Sequence, residues 1–265
     1  MDTQLNAVEA MEAMASMDEE PEQQRPHEAP QGAANDAQGD ADAVAGALLG
    51  QVKDEDRTFM IRLADTDEGR NSASLLISKM YATRGYNVAK MEKDPHRITL
   101  SASDQGVVIG TVTLGVDSDK GILADDIFRD HADRFRARGA KLCEITKLAF
   151  DPEVKSKMAL ASLFHMLFIY ARYIYHCSDV LIEVNPRHRR FYTTMLDFSD
   201  QAELRHNTRV DAPAYLMWLS VDHMAQQIER LGGTSSHPGA ERSLYPYFFS
   251  KREEIGLANR IIKLG

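Results

Sequence analysis

Of 265 residues, 43% are hydrophobic and 27% charged, the balance of an ordinary soluble globular chain, which excludes a wholly disordered or fibrous protein. The net charge of −9 is lopsided: residues 1–50 carry 11 Asp/Glu and one Arg, leaving 29 acids against 30 Lys/Arg in 51–265. A body of net charge +1 argues against nucleic-acid binding, and the apolar run 158–171 is shorter than the roughly 20 residues of a membrane span.

The amino terminus has Asp2, Glu9 and Glu12 where a secretory leader has Lys or Arg before an apolar stretch, so a cytoplasmic protein is expected. Leu5, Val8, Met11 and Met14 recur every third residue and permit a short amphipathic helix, marginal on its own. Residues 18–45 contain no aromatic side chain, so ordering them cannot be offset by buried area, and 1–50 read as a disordered acidic tail. From Arg57 the pattern changes: a strand over 58–63, a helix over 72–85, and strands 98–103 and 107–116 joined by the hairpin signal Asp104-Gln105-Gly106. A polar helix over 126–138 stops at Gly139, followed by a strand over 140–150 and a long buried helix over 155–177. A strand over 180–184, a helix over 188–196 and a strand through 215–219 complete an α/β alternation. Cys143 and Cys177 have no CxxC or His-rich company, which points to small core residues rather than a metal site or disulfide framework.

The strand over 140–150 carries a carboxylate. Regular alternation puts Glu144, Thr146 and Leu148 on one face and Ile145, Lys147 and Ala149 on the other. A strand Glu is either ion-paired or solvent-reaching, or it is a general base. Downstream, VLIEVNPRHRRFYTTMLDF places Asn185 at a strand end, Tyr192 seven residues on and Phe198 six beyond that. An Asn before Pro186 is also an ordinary turn residue, and Phe191-Tyr192 ordinary core.

This spacing resembles the GNAT acyltransferase superfamily, in which a strand-end Asn, a Tyr on the next helix and a Leu-Gly-Phe element flank a donor thioester; here the last reads Leu196-Asp197-Phe198. That resemblance implies a GNAT-like mixed central sheet flanked by helices, and a Gly-rich pyrophosphate loop where this chain has DPEVKSKMA, without glycine. Coenzyme A needs such a loop for its pyrophosphate. A phosphopantetheine on a carrier protein has one phosphodiester, which Lys155, Ser156 and Lys157 are able to meet, although a solvated basic first turn is as easily explained.

Two families share the departure. The acyl-homoserine-lactone synthases have a comparable Glu strand, matched by residues 144–148. The long-chain N-acyl amino acid synthases of the FeeM type are similar over more of the chain: Gly121 to Asp125, Arg136 to Gly139, Glu144, then Arg187-His188 and Phe191-Tyr192. The likeness runs from about Arg57 to Asp222. It implies an acyltransferase moving a long-chain fatty acyl group from acyl carrier protein to an amino acid's α-amine, with a 4′-phosphopantetheine thioester as donor and no tightly bound cofactor. Glu144 is the implied base and Tyr192 the acid for the leaving thiolate. Backbone near Lys147 and Leu148 is the implied oxyanion site, with Asn185, Arg187 and His188 also on the donor. The acceptor's carboxylate has three candidate partners, Arg84, Arg97 and Arg187.

Arg187 to Arg190 form one basic run and Arg134, Arg136, Arg138 and Lys141 another. Arg134, Arg138, Arg189 and Arg190 are the expected rim for an acidic carrier protein, against the plainer reading of solvated helix faces. Met158, Met166, Met195 and Met217 suit an acyl tunnel or simply the core. The aromatic and basic end, 234–265, is expected to pack on the 51–233 domain, with peripheral membrane contact as the alternative. Competing functions are an acetyl-CoA-dependent N-acetyltransferase and a non-catalytic acyl-carrier or lipid-binding protein.

Overall fold

A computed structural model describes residues 46–82, 93–209, 211–236 and 242–264. The helix expected over 5–14, most of the acidic tail and Arg84 lie outside them. The strands are β1 (Leu48–Asp54), β2 (Arg57–Leu63), β3 (Arg97–Asp104), β4 (Val107–Val116), β5 (Leu142–Phe150), β6 (Asp179–Val184), β7 (Ser199–Asp200), β8 (Arg205–Asn207) and β9 (Ala212–Ser220). They form a sheet in the order β1-β2-β3-β4-β5-β6-β9-β7, with β8 beside β9. Each of these strand pairs is antiparallel except β5 with β6, so the sheet is mixed and flanked by helices, as the resemblance implies.

The helices are α1 (Asp67–Ala82), α2 (Asp125–Ala137), α3 (Lys157–Ile169), α4 (Arg189–Leu196), α5 (Val221–Leu231) and α6 (Lys251–Leu264). Residues Ala159 to Ile169 of α3 are all buried, the pattern of a helix enclosed on every side. One face of α3 meets β1, β3 and β4, and α6 packs on it from outside. α1 and α2 cover the opposite face of the sheet, Phe128 and Phe135 of α2 meeting Leu142 and Leu181. Each such fully buried side chain contributes roughly 1.5–3 kcal/mol. Met166, Met195 and Met217 lie in the main core with Met158 packed against it, and Tyr245 and Phe248 are buried there too. None of the described helices is long and apolar enough to cross a membrane.

Two local features depart from the regular pattern. The long helix expected over 155–177 starts at Lys157 and changes to a π turn over Tyr170–Ile174, where Tyr175 N–H reaches back to Tyr170 C=O. In β5, Thr113 faces Thr146 but Thr111 faces Ala149, so two residues, Lys147 and Leu148, oppose one. Lys147 takes φ +51° to make this bulge. The bulge inverts side-chain parity: Cys143 and Ile145 enter the main core, and beyond it Leu148 and Phe150 do so. Leu148 therefore leaves the face of Glu144, contrary to the uninterrupted alternation.

Candidate active site

Glu144 sits where three strands make room for it. Arg97 is opposite Gly115, Gly115 is opposite Glu144, and Glu144 is opposite Leu181. A Cβ at Gly115 would lie 2.9 Å from both Cγ and Oε1 of Glu144, so only glycine leaves space for this carboxylate. Glu144 is 2% exposed. A charge so enclosed needs donors, and they come from the turn that opens α2: Leu123 N–H donates to Oε1 at 2.9 Å and Ala124 N–H to Oε2 at 3.2 Å. The Arg97 guanidinium stands 3.7 Å from Oε1. Burial pushes the carboxyl up to about 7 against the pull of these donors and Arg97.

The turn has its own support. Gly121, at φ +75°, lets the Asp125 carboxylate fold back to where a Cβ would stand 2.2 Å from Oδ2. Asp125 Oδ2 accepts Ile122 N–H at 2.9 Å, and both its oxygens accept Arg136 at 2.8 Å. Arg136 also donates to Asp117 at 2.7 and 2.9 Å and to Asp133 at 2.7 Å. On the far side Arg209 donates to Leu123 C=O at 3.1 Å and forks onto Glu183 at 2.7 and 2.8 Å. A cavity of about 170 Å³ opens beside Glu144, walled by Asp94, His96, Arg97, Gly115, Lys120 and Asp126 among others. A carboxylate titrating near neutrality in a small polar chamber is equipped to accept a proton.

β5 and β6 pair only over Leu142–Glu144 and Asp179–Leu181 and then part, just before the bulge at Lys147 and Leu148. Burial and the Arg97 charge lower the Lys147 ammonium. Thr111 Oγ1 donates to Lys147 C=O at 3.1 Å.

The remaining expected residues are placed as follows. Tyr192 is fully buried on α4, edge-on to Phe191 and Phe198, and does not line the Glu144 chamber. Asn185 directly follows β6 and its Oδ1 accepts Arg187 N–H at 3.2 Å, capping the turn Pro186–His188; His188 is buried and Arg187 exposed. Ser156 caps α3, accepting Ala159 N–H at 3.0 Å while its hydroxyl donates to Asp54 of β1. Lys155 is exposed, and Lys157 lies 5.5 Å from the Tyr247 ring centre. Arg134 pairs with Asp130 at 3.9 Å, Arg138 covers Phe135, Arg189 pairs with Asp200, and Arg190 is exposed. Arg136, grouped by sequence with the basic run, turns inward because three aspartates bind it. Of the acceptor candidates among the described residues, Arg97 lines the chamber and Arg187 does not, while Arg84 lies outside the described residues; Asp94, His96, Lys120, Glu183 and Arg209 are further charged or polar groups at the site. Arg97 was hard to register with Glu144: the hairpin turn pairs Asp104 with Val107, but a bulge after Ala102 shifts the partner of Arg97 from Leu114 to Gly115.

The family model for the N-acyl amino acid synthase FeeM matches residues 72–220. The solved structure of FeeM, an N-acyl amino acid synthase from uncultured soil microbes, is 26% identical with a TM-score of 0.59, over 66% of this chain and 96% of that one. The acyl-homoserine-lactone synthase LasI is 11% identical with a TM-score of 0.45, over 62% of this chain and 90% of its own. Arabidopsis thaliana NAA60, solved in complex with acetyl-CoA, is 16% identical with a TM-score of 0.45, over 62% of this chain and 99% of its own. No curated protein matches the sequence. With more than half of its length matched by that family model, and with the mixed sheet, parted strands and buried strand carboxylate described above, the chain belongs to the FeeM family and is an N-acyltransferase of GNAT-like fold.

Proposed function

We propose that the chain moves a long-chain fatty acyl group from acyl carrier protein to the α-amine of an amino acid, giving an N-acyl amino acid. The observation that carries this reading is Glu144, a buried carboxylate raised to about 7 beside a small chamber that also holds a guanidinium. In the proposed reaction the acceptor's carboxylate pairs with Arg97. Glu144, directly or through a water, takes the proton from the amine. The amine nitrogen attacks the thioester carbonyl, the C–N bond forms and the C–S bond breaks. The oxyanion lies against backbone at Lys147 and Leu148, the thiolate takes a proton from Tyr192, and the pantetheine arm lies along the parted edges of β5 and β6 near Asn185, Arg187 and His188.

Support for a carrier-protein donor comes from the connection after β5. It has no glycine between Asp151 and Ser156, and the Asp54 carboxylate already stands against the cap of α3, where a pyrophosphate would meet like charge. Lys155 and Lys157 flank that cap and add positive charge toward a single phosphodiester. Exposed Arg134, Arg138, Arg189 and Arg190 would meet the acidic carrier.

The test compares palmitoyl-carrier protein with palmitoyl-CoA at matched concentrations, in wild type and Glu144→Gln. Faster turnover with the carrier thioester is expected, weakening as salt shortens the Debye length to about 3 Å near 1 M, together with roughly 100- to 10,000-fold slower turnover of Glu144→Gln. Equal or better use of the CoA ester would overturn the donor. A Glu144→Gln variant as fast as wild type would remove Glu144 from the mechanism.

A further inference from the structure

The hydrogen bonds around Glu144 form a relay that begins outside the residues lining the chamber. Arg136 lies in the last turn of α2 and outside the cavity wall. Its guanidinium grips both oxygens of Asp125, at 2.8 Å each. Asp125, 3% exposed at its side chain, holds Ile122 N–H at 2.9 Å. With Ile122 fixed, the next two amides, Leu123 and Ala124, face the two oxygens of Glu144. Burial alone raises a carboxyl; donors to its charged form lower it.

We propose that Arg136, acting through Asp125 and the turn 121–126, is a positioning residue that sets the proton affinity of Glu144. As the cause of a catalytic pH limb, the relay rests on the reading of Glu144 as the base; as a property of the carboxyl itself, it does not. The other charged groups facing Glu144 are Arg97 from β3, Glu183 from β6, Asp126 from α2 and, along the chamber wall, Asp94, His96 and Lys120. Glu183 repels the Glu144 charge but is itself held by Arg209 and by Asn207 Nδ2 at 2.6 Å. None of these is bonded by Arg136, so loosening the relay acts through the two amides.

Two substitutions separate geometry from bulk charge. Arg136→Lys keeps the positive charge but loses the planar fork that spans Asp117 and Asp125 together. Asp125→Ala removes a negative charge near the site. Charge alone would then lower the Glu144 titration, whereas loss of the amide clamp raises it.

The experiment follows the Glu144 side-chain carboxyl by ¹³C NMR against pH in the full chain, its signal assigned by loss in Glu144→Gln, alongside kcat/KM against pH. In both variants the Glu144 midpoint is expected to rise by about one pH unit, with about tenfold lower kcat/KM below the limb and a loss that shrinks toward alkaline pH. A midpoint that is unmoved, or that falls in Asp125→Ala, overturns the relay. If Asp125→Ala does not fold, Arg136→Lys alone decides, because it keeps the positive charge while breaking the fork that holds Asp125. A carboxyl midpoint that rises while the rate limb stays put upholds the relay and removes Glu144 as base. A limb that follows Glu144 in wild type and is unmoved in both variants overturns the relay and keeps the base.

Discussion

Glu144 makes the stability of the fold depend on pH. Its carboxyl is raised from an ordinary 4.5 to about 7, burial being the first cause, so the folded state binds its proton more tightly than the unfolded chain. The contribution is fully present below pH about 4.5 and is lost as pH rises through 7, when the folded protein must carry a buried charge. The difference corresponds to about 3 kcal/mol. Glu144→Gln has no such charge to bury, so wild type is expected to lose about 3 kcal/mol relative to this variant between pH 4.5 and 8, measured by urea unfolding at each pH. Parallel stability curves for the two proteins would contradict the burial argument. That Glu144 is an unusual residue was legible in sequence, because a carboxylate amid an apolar strand calls for an explanation. Its partners were not: Arg97 reaches it only through the bulge at Ile109 of β4, and Lys147 inverts the far half of β5 from a left-handed conformation that its residue type does not announce.

At the scale of elements, the least legible feature is the attachment of α6. His165 lies in the middle of buried α3, its Nδ1 accepting Phe249 N–H at 2.9 Å and its Nε2 facing Glu254 of α6 at 3.1 Å. With Nδ1 an acceptor, the Nε2 hydrogen is the one donated to Glu254. Tyr173 and Lys251 each donate to the other Glu254 oxygen at 2.6 Å. Both His165 and Glu254 have fully buried side chains. Burial would raise Glu254, but the bonds from His165, Lys251 and Tyr173 prevail and bring it to about 2, while burial lowers His165. Both depressed values have the same sign: their stabilisation is complete above pH about 6.5 for His165 and about 4.5 for Glu254, and is lost as pH falls below each. Glu254→Ala leaves three polar groups without their acceptor and is expected to cost about 3–5 kcal/mol at pH 7, with faster amide exchange across α6. The variant's stability should also depend less on pH between 6 and 3; an unchanged acid transition would detach this cluster from acid unfolding. Hairpins and capped helices in the body were readable from turn residues and apolar period. The partner of His165 was not, since 89 residues separate it from Glu254.

For the whole molecule, the contrast between an acidic leading segment and a neutral body was evident from charge alone, but the place where the first strand of the sheet begins was not. Composition put that boundary after residue 50; β1 instead opens at Leu48, inside the span read as tail. The reason is tertiary. Leu49 and Val52 are 1% and 5% exposed, β1 pairs with β2 from Leu48 to Asp54, and Arg260 of α6 donates to Leu49 C=O at 3.3 Å. Arg62 Nη1 donates to Gly46 C=O at 3.1 Å, and Asp54 accepts the Ser156 hydroxyl that caps α3. A short segment of Leu-Leu-Gly-Gln-Val has too weak a pattern to declare a strand, yet it joins the sheet edge to both α3 and α6. Truncation therefore distinguishes two boundaries nine residues apart. A chain beginning at residue 46 is expected to keep the melting temperature and turnover of the full protein, because the removed composition offers no buried area. A chain beginning at residue 55 loses β1 entirely, with the burial of Leu49 and Val52, worth roughly 1.5–3 kcal/mol each, and the hydrogen-bonded partner of the α3 cap. Its melting temperature should fall by several degrees and its turnover with it, as α3 loses one of the walls against which it is packed. Thermal melts and steady-state rates of the two truncated chains beside the full one check both outcomes. A drop already present in the chain beginning at residue 46 would show that the acidic segment docks on the body and belongs to the folded enzyme.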